Sequence, residues 1–133
     1  MTSIQRLRPA GLVFSPAFSH VAVVPPGATT IYIGGQNAVD ADGALVGADD
    51  VAAQSTRALA NAKTALESVG ATIDDVVQWT VLFVDGVDLA AAYGAIAADL
   101  ASAEPPLVTS ARVAGLGVRG ALVEIGAIAA VIR

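Results

Sequence analysis

The chain has 133 residues, 55% hydrophobic and 14% charged, with a formal net charge of −5, no cysteine and one histidine, His20. That length makes one domain, 1–133, large enough for a two-layer core. Without thiols there are no disulfides or thiolate metal sites, one histidine cannot build a metal cage, and a single lysine with six scattered arginines gives a polyanion nothing to grip, so neither metal, cofactor nor nucleic acid is expected.

Met1 to Ala10 mixes Gln5, Arg6 and Arg8 with few apolar residues, unlike a secretion signal, and the expected location is cytoplasmic. Ser19 to Val24 and Thr29 to Ile33 are β-branched runs separated by Pro25-Pro26-Gly27, which predicts a hairpin-like pair. Asn37 to Ala48, with Asp40, Asp42, Gly43 and Gly47, predicts a loop. Asp49 or Asp50 then caps a helix whose apolar positions Val51, Leu59, Ala62, Leu66 and Val69 recur every three or four residues, with Gly70 as the stop.

Asp74 to Val84 alternates as a strand, with Val77, Trp79, Val81 and Phe83 on one face and Val76, Gln78, Thr80, Leu82 and Val84 on the other. Asp88 caps a second helix that turns Leu89, Tyr93, Ile96 and Leu100 inward, with Gly94 weakening its middle. Pro105-Pro106 ends the connection, Val108 to Ala114 is a strand, and Gly115 to Gly120 is a turn. The spacing Gly115-Leu116-Gly117-Val118-Arg119-Gly120 mimics a dinucleotide fingerprint, but it joins two strands instead of opening a helix, so the match is accidental.

The final strand, Ala121 to Ile132, carries one carboxylate, Glu124, in an otherwise unbroken apolar run. A strand covered on both faces has no place for an unpaired charge, so either Glu124 reaches water, an arginine or a backbone N–H at the strand's edge, or it sits in a pocket and handles a proton or polar ligand. The order of elements predicts an α+β fold, a two-layer sandwich of a mixed sheet with two helices on one face. The other face would be bare in a monomer. Together with the surplus of apolar residues, whose longest stretches are cut by Gly, Pro or charge before membrane-spanning length, this predicts homo-oligomers and no membrane partner.

Ile31-Tyr32-Ile33-Gly34-Gly35-Gln36, Gln54 with Asn61, Gly70-Ala71 followed by Asp74-Asp75-Val76-Val77, and Gly120-Ala121-Leu122-Val123-Glu124-Ile125 with Ala127-Ile128-Ala129 resemble, in order and spacing, the RidA/YjgF family of reactive-intermediate deaminases, formerly called L-PSP endoribonucleases. The resemblance runs from about Phe18 to the C-terminus. It implies a chorismate-mutase-like fold, a homotrimer with sheets facing a central barrel, and ligand clefts between subunits. It also implies hydrolysis of enamines and imines to a carbonyl and ammonia, with an arginine holding the substrate carboxylate and Glu124 matching the glutamate that places or activates water. Gly35 and Gln36 match the Gly-Gln that borders the cleft.

The chain departs from the family pattern at three positions. Val108 occupies the arginine's place, Gly34 stands where the family has serine, and Phe18 stands where it has tyrosine. Exchanging a bidentate guanidinium for an isopropyl group removes several kcal/mol of charge-assisted binding. Arg112, four residues on and roughly 13 Å further along a regular strand, is either a substitute for that arginine or the partner of a carboxylate at the subunit interface. Thr109 and Ser110 offer hydroxyls to the cleft or to the sheet, and His20 reads as a hydrogen-bonder near a strand start. The expected site is Glu124 as catalytic residue, with Phe18, Gly34, Gly35, Gln36, Val108, Thr109 and Arg112 around a small-molecule metabolite. The function expected is deaminase-type hydrolysis of something other than an ordinary 2-imino acid, or ligand binding without turnover. Ribonuclease activity is disfavoured by the acidic charge.

Overall fold

The structure, a computed structural model, describes residues 3–133. Four strands form the main sheet: β3 (Thr29–Gln36), β4 (Val76–Val84), β5 (Leu107–Val113) and β6 (Val123–Val131). Their spatial order is β3-β6-β4-β5, with β6 antiparallel to both neighbours and β4 parallel to β5. The glutamate strand is therefore central, which explains its apolar run. Helices α1 (Val51–Glu67), α2 (Leu89–Gly94) and α3 (Ala97–Leu100) complete the α+β two-layer arrangement predicted from the order of elements.

Strand alternation decides what each face does. Trp79, Val81 and Phe83 of β4, with Val123, Ile125, Ala127 and Ala129 of β6, are buried beneath Ala58, Leu59, Ala62 and Leu66 of α1. Each large side chain buried in this layer contributes about 1.5–3 kcal/mol. The intervening residues Gln78, Thr80 and Leu82 of β4 and Glu124, Gly126 and Ile128 of β6 are only half-buried, and Tyr32 of β3 is 76% exposed. These form the face that no helix covers.

Helix α1 begins and ends as its sequence dictates. The Asp50 side chain accepts from the Ala53 N–H at the N-cap, while Asp49 takes the turn before it at φ 61°. At the other end Gly70 adopts φ 75°, and the N–H of Ala71 bonds back to the carbonyl of Leu66. That is a Schellman closure, with both Leu66 and Ala71 buried in its hydrophobic contact.

Three expectations are corrected. The runs around Pro25-Pro26-Gly27 do not pair with each other: β2 (Val21–Val23) pairs with β1 (Gln5–Leu7) in a separate ribbon, and β3 pairs with β6. The turn exists, closed by Ala28 N–H to Pro25 carbonyl, but alternation alone does not specify which strands meet. Asp74 and Asp75 belong to a 3₁₀ turn rather than to β4, since Thr72 and Asp75 cap it reciprocally. The second helix is broken: α2 stops at Gly94, and Ile96, at φ −120°, separates it from α3. Gly94 does more than weaken this helix.

The loop between β3 and α1 is tied down by side-chain amides. Gln54, fully buried, donates to the carbonyls of Gly47 and Gly120 and accepts from the N–H of Leu122. Asn61 donates to the carbonyls of Asn37 and Val39, and Asn37 donates to the carbonyl of Val123. These residues fix where β3 ends and where β6 begins. Gln54→Leu keeps the volume but strands three backbone groups, and should lower unfolding free energy by about 2–4 kcal/mol in urea titrations. A variant as stable as the parent would show those groups to be satisfied by water.

Candidate functional site

On the open face, β3 and β6 fall out of step. Ile33 is opposite Ala127 but Gln36 is opposite Ile125, so three steps on β3 face two on β6 and the strand bulges at Gly34-Gly35. Glu124 projects from β6 directly beside this bulge. A Cβ placed on Gly35 would lie 2.5 Å from Oε2 and 2.8 Å from Cγ of Glu124. Its carboxyl arm therefore lies across the bare backbone of Gly35, in space that no other residue would leave open. Gly126 completes the notch, since a Cβ there would sit 3.4 Å from the Ile33 carbonyl oxygen and 3.7 Å from Gly35 Cα.

Around the carboxylate is a cavity of about 300 Å³ lined by Tyr32, Ile33, Gly34, Gly35, Thr80, Leu82, Glu124, Gly126, Ala127 and Ile128. Glu124 is half-buried, and among the described residues its carboxylate makes no intrachain hydrogen bond or ion pair. Of the partners weighed for Glu124 in a structural role, neither an arginine nor a backbone N–H is present among the described residues, which leaves water or a ligand. The carboxylate is mid-sheet and lines a cavity. A second concavity, between Arg6, Trp79 and Glu104, measures about 20 Å³, room for one water.

The other expected residues fall into two groups. Gly34 and Gly35 line the cavity with Glu124, and Gln36 sits at the end of β3, where its amide donates to the carbonyl of Gly34. Thr109 is on the same open face, opposite Thr80, one strand further from Glu124, and its hydroxyl accepts from the Gln78 amide. Val108 and Arg112 stand on the opposite face of β5, in register with Trp79 and Phe83, and Val108 packs against the core. Phe18 lies at the head of β5, where the N–H of Ser19 donates to the carbonyl of Pro106. Within one protomer neither Phe18, Val108 nor Arg112 is brought to Glu124.

Arg112 has a carboxylate partner, Asp85, at 3.9 Å with both side chains more than half exposed, a surface pair worth little. Ser110 bonds to the Tyr93 hydroxyl on the helix side, so it serves packing rather than the open face. His20 has its Nε2 2.7 Å from the carbonyl oxygen of Val13, in keeping with a hydrogen-bonding role. Among the described residues no group of three His, Cys, Asp or Glu side chains is placed to hold a metal. Nor is any helix long and apolar enough to cross a membrane.

Sequence reading missed Tyr32, Thr80 and Gly126 as cavity residues. Thr80 and Gly126 share a face with Glu124 by alternation alone, so the signal was present once the strands' adjacency was known.

Three comparisons bear on this geometry. The model of a family described as endoribonuclease L-PSP matches residues 13–131. The crystal structure of YyfB from Yersinia pestis, a protein of unknown function of the conserved Rid family, is 32% identical over 97% of this chain and 98% of that one, with a TM-score of 0.82. The YjgF gene product of E. coli is 33% identical, with a TM-score of 0.68 over 83% of this chain and 85% of that one. E. coli TdcF, solved with bound serine, is 26% identical, with a TM-score of 0.68 over 97% and 94% of the two chains. No curated protein matches the chain in sequence.

The Glu124–Gly35 packing gives a sharp test. Gly35→Ala should swing the carboxylate out of the notch and lower stability by about 1–2 kcal/mol, while the same change in a Glu124→Ala background should cost almost nothing, because only the Glu124 side chain stands in the way. Equal costs in both backgrounds, measured by chemical denaturation, would mean that the backbone and not the carboxylate demands glycine.

Proposed function

Because the chain belongs to the endoribonuclease L-PSP family, the family of the Rid and YjgF proteins, we propose that it is a homotrimeric hydrolase of small imines or enamines, using Glu124 on a substrate without the usual carboxylate. The observation that carries this reading is the Glu124 carboxylate, laid over Gly35 in an open cavity with no partner of its own. An unpaired carboxylate held against apolar surface is a general base kept free for a ligand. Glu124 takes a proton from water as the oxygen adds to the C=N carbon. It returns that proton to nitrogen, and the carbinolamine collapses to a carbonyl compound and ammonia or an amine.

The missing clamp sets the substrate. A guanidinium that would bind a carboxylate in two hydrogen bonds is replaced by Val108, packed into the core. Turnover of 2-aminoacrylate-type imines, followed as ammonia release from imines generated in situ, should be weak or absent. Val108→Arg should raise it only modestly, since Phe18 and Gly34 still lack hydroxyls. Glu124→Gln should leave the assembly intact and abolish whatever turnover exists. Clearance of such imines at the rate of an arginine-bearing relative would overturn the reading.

Trimerisation is supported by the uncovered sheet face, where Tyr32 is 76% exposed beside Leu82 and Ile128. It would also let Phe18 of one protomer approach the Glu124 cavity of the next, which it does not reach in its own. Each interface should bury roughly 2,000 Å² or more in total. Sedimentation equilibrium at micromolar concentration should give three times the chain mass, and a stable monomer would sink the proposal.

A second reading, binding without turnover, draws on the sparse chemistry of the cavity. Besides Glu124, its lining offers only the Thr80 hydroxyl and Tyr32 as polar side chains. Ligand binding with no ammonia release from any imine would favour it.

A further inference from the structure

The charge balance of the cavity suggests what it holds. Of its lining residues one is charged, Glu124, and that charge is negative. Within the protomer no cation lines the cavity, and several are engaged elsewhere: Arg6 on the carbonyls of Asp74 and Val76, Arg57 on Asn61, Lys63 on Asp99, and Arg112 on Asp85. A half-desolvated carboxylate without a counter-ion is a site of negative potential, and a chain of net charge −5 adds to that field at long range.

Tyr32 supplies a second, separate observation. It pairs with Ile128, four residues from Glu124 along β6, so its ring stands roughly 13 Å of strand from the carboxylate at the other end of the same cavity. Between them the open face is largely apolar, with Leu82, Gly126 and Ile128 beside the Thr80 hydroxyl. An aromatic ring, a largely apolar face and one free carboxylate are the parts needed to bind a cation with an apolar body, and they offer an anion no counter-charge.

We propose that the Glu124 cavity selects a small cationic ligand, a protonated amine or iminium with an apolar body, its charged nitrogen on Glu124 and its body running toward Tyr32. This rests on the reading of the cavity as the ligand cleft, and it specifies the substrate class. A protonated imine is also the more electrophilic form, so the carboxylate that binds the nitrogen charge stands beside the carbon that water attacks. No other acid is required for that protonation if the substrate arrives as the iminium.

Three probes of matched length test it on the intact protein by calorimetry: 3-phenylpropylamine, 3-phenylpropan-1-ol and 3-phenylpropanoate. The amine should bind about ten-fold or more tightly than the alcohol, and the propanoate most weakly. Glu124→Gln should remove the amine's advantage over the alcohol, whereas Tyr32→Ala should weaken both alike. Circular dichroism of both variants, and sedimentation of Glu124→Gln, should match the parent. Absence of amine binding, equal or tighter binding of the propanoate, or an amine preference that survives Glu124→Gln would each overturn the inference. The two readings fail separately. Imine turnover with propanoate preferred removes cation selection and keeps the enzyme, while Glu124-dependent amine binding without any turnover removes the enzyme and keeps the cation site.

Discussion

Everything at this site depends on the alternation of β6, a strand hydrogen-bonded on both sides. Val123, Ile125, Ala127 and Ala129 are buried under the helices, so Glu124, Gly126 and Ile128 must face the other way. A slip of one residue would push the carboxylate under Leu59 and Leu66, where no donor waits, and would expose the apolar set. The cost of burying an unpaired carboxylate therefore locks the register as firmly as the hydrophobic residues do.

Glycines convert that register into a site. The bulge at Gly34-Gly35 lets β3 pass close to β6 at the place where Glu124 needs room, and Gly126 keeps the approach open one step along. The side-chain amides of Gln54, Asn61 and Asn37 hold the two ends of this arrangement, the exit of β3 and the entry of β6, to helix α1. The Glu124 carboxylate is thus positioned by the backbone hydrogen bonds of the sheet rather than by a charge partner.

Strand alternation also separates Glu124 from β5. The carboxylate stands on the open face, whereas Val108 faces the helices and packs against the core. If this cavity takes a ligand, as proposed, its one charged lining residue, Glu124, favours a cation. One fold serves different small molecules through changes in a few cleft residues.

The elements were largely legible in the sequence, because they rest on local physics. The three-and-four spacing from Val51 to Leu66 needed an apolar face, Asp50 and Gly70 supplied its ends, and the alternation of Val76–Val84 described a strand wherever it was placed. Glu124 was conspicuous for the same reason, a charge where solvation made one expensive, and the order of motifs pointed to the Rid and YjgF proteins. What the sequence left open were pairings between distant segments. Alternation is blind to neighbours, so β2 pairing with β1, the break after Gly94 and the opposite faces of Glu124 and Arg112 appeared only with the tertiary structure. The cavity, too, is a property of β3 lying beside β6. Tyr32, Thr80 and Glu124 are scattered along the chain, and only the sheet's hydrogen bonds bring them onto one wall.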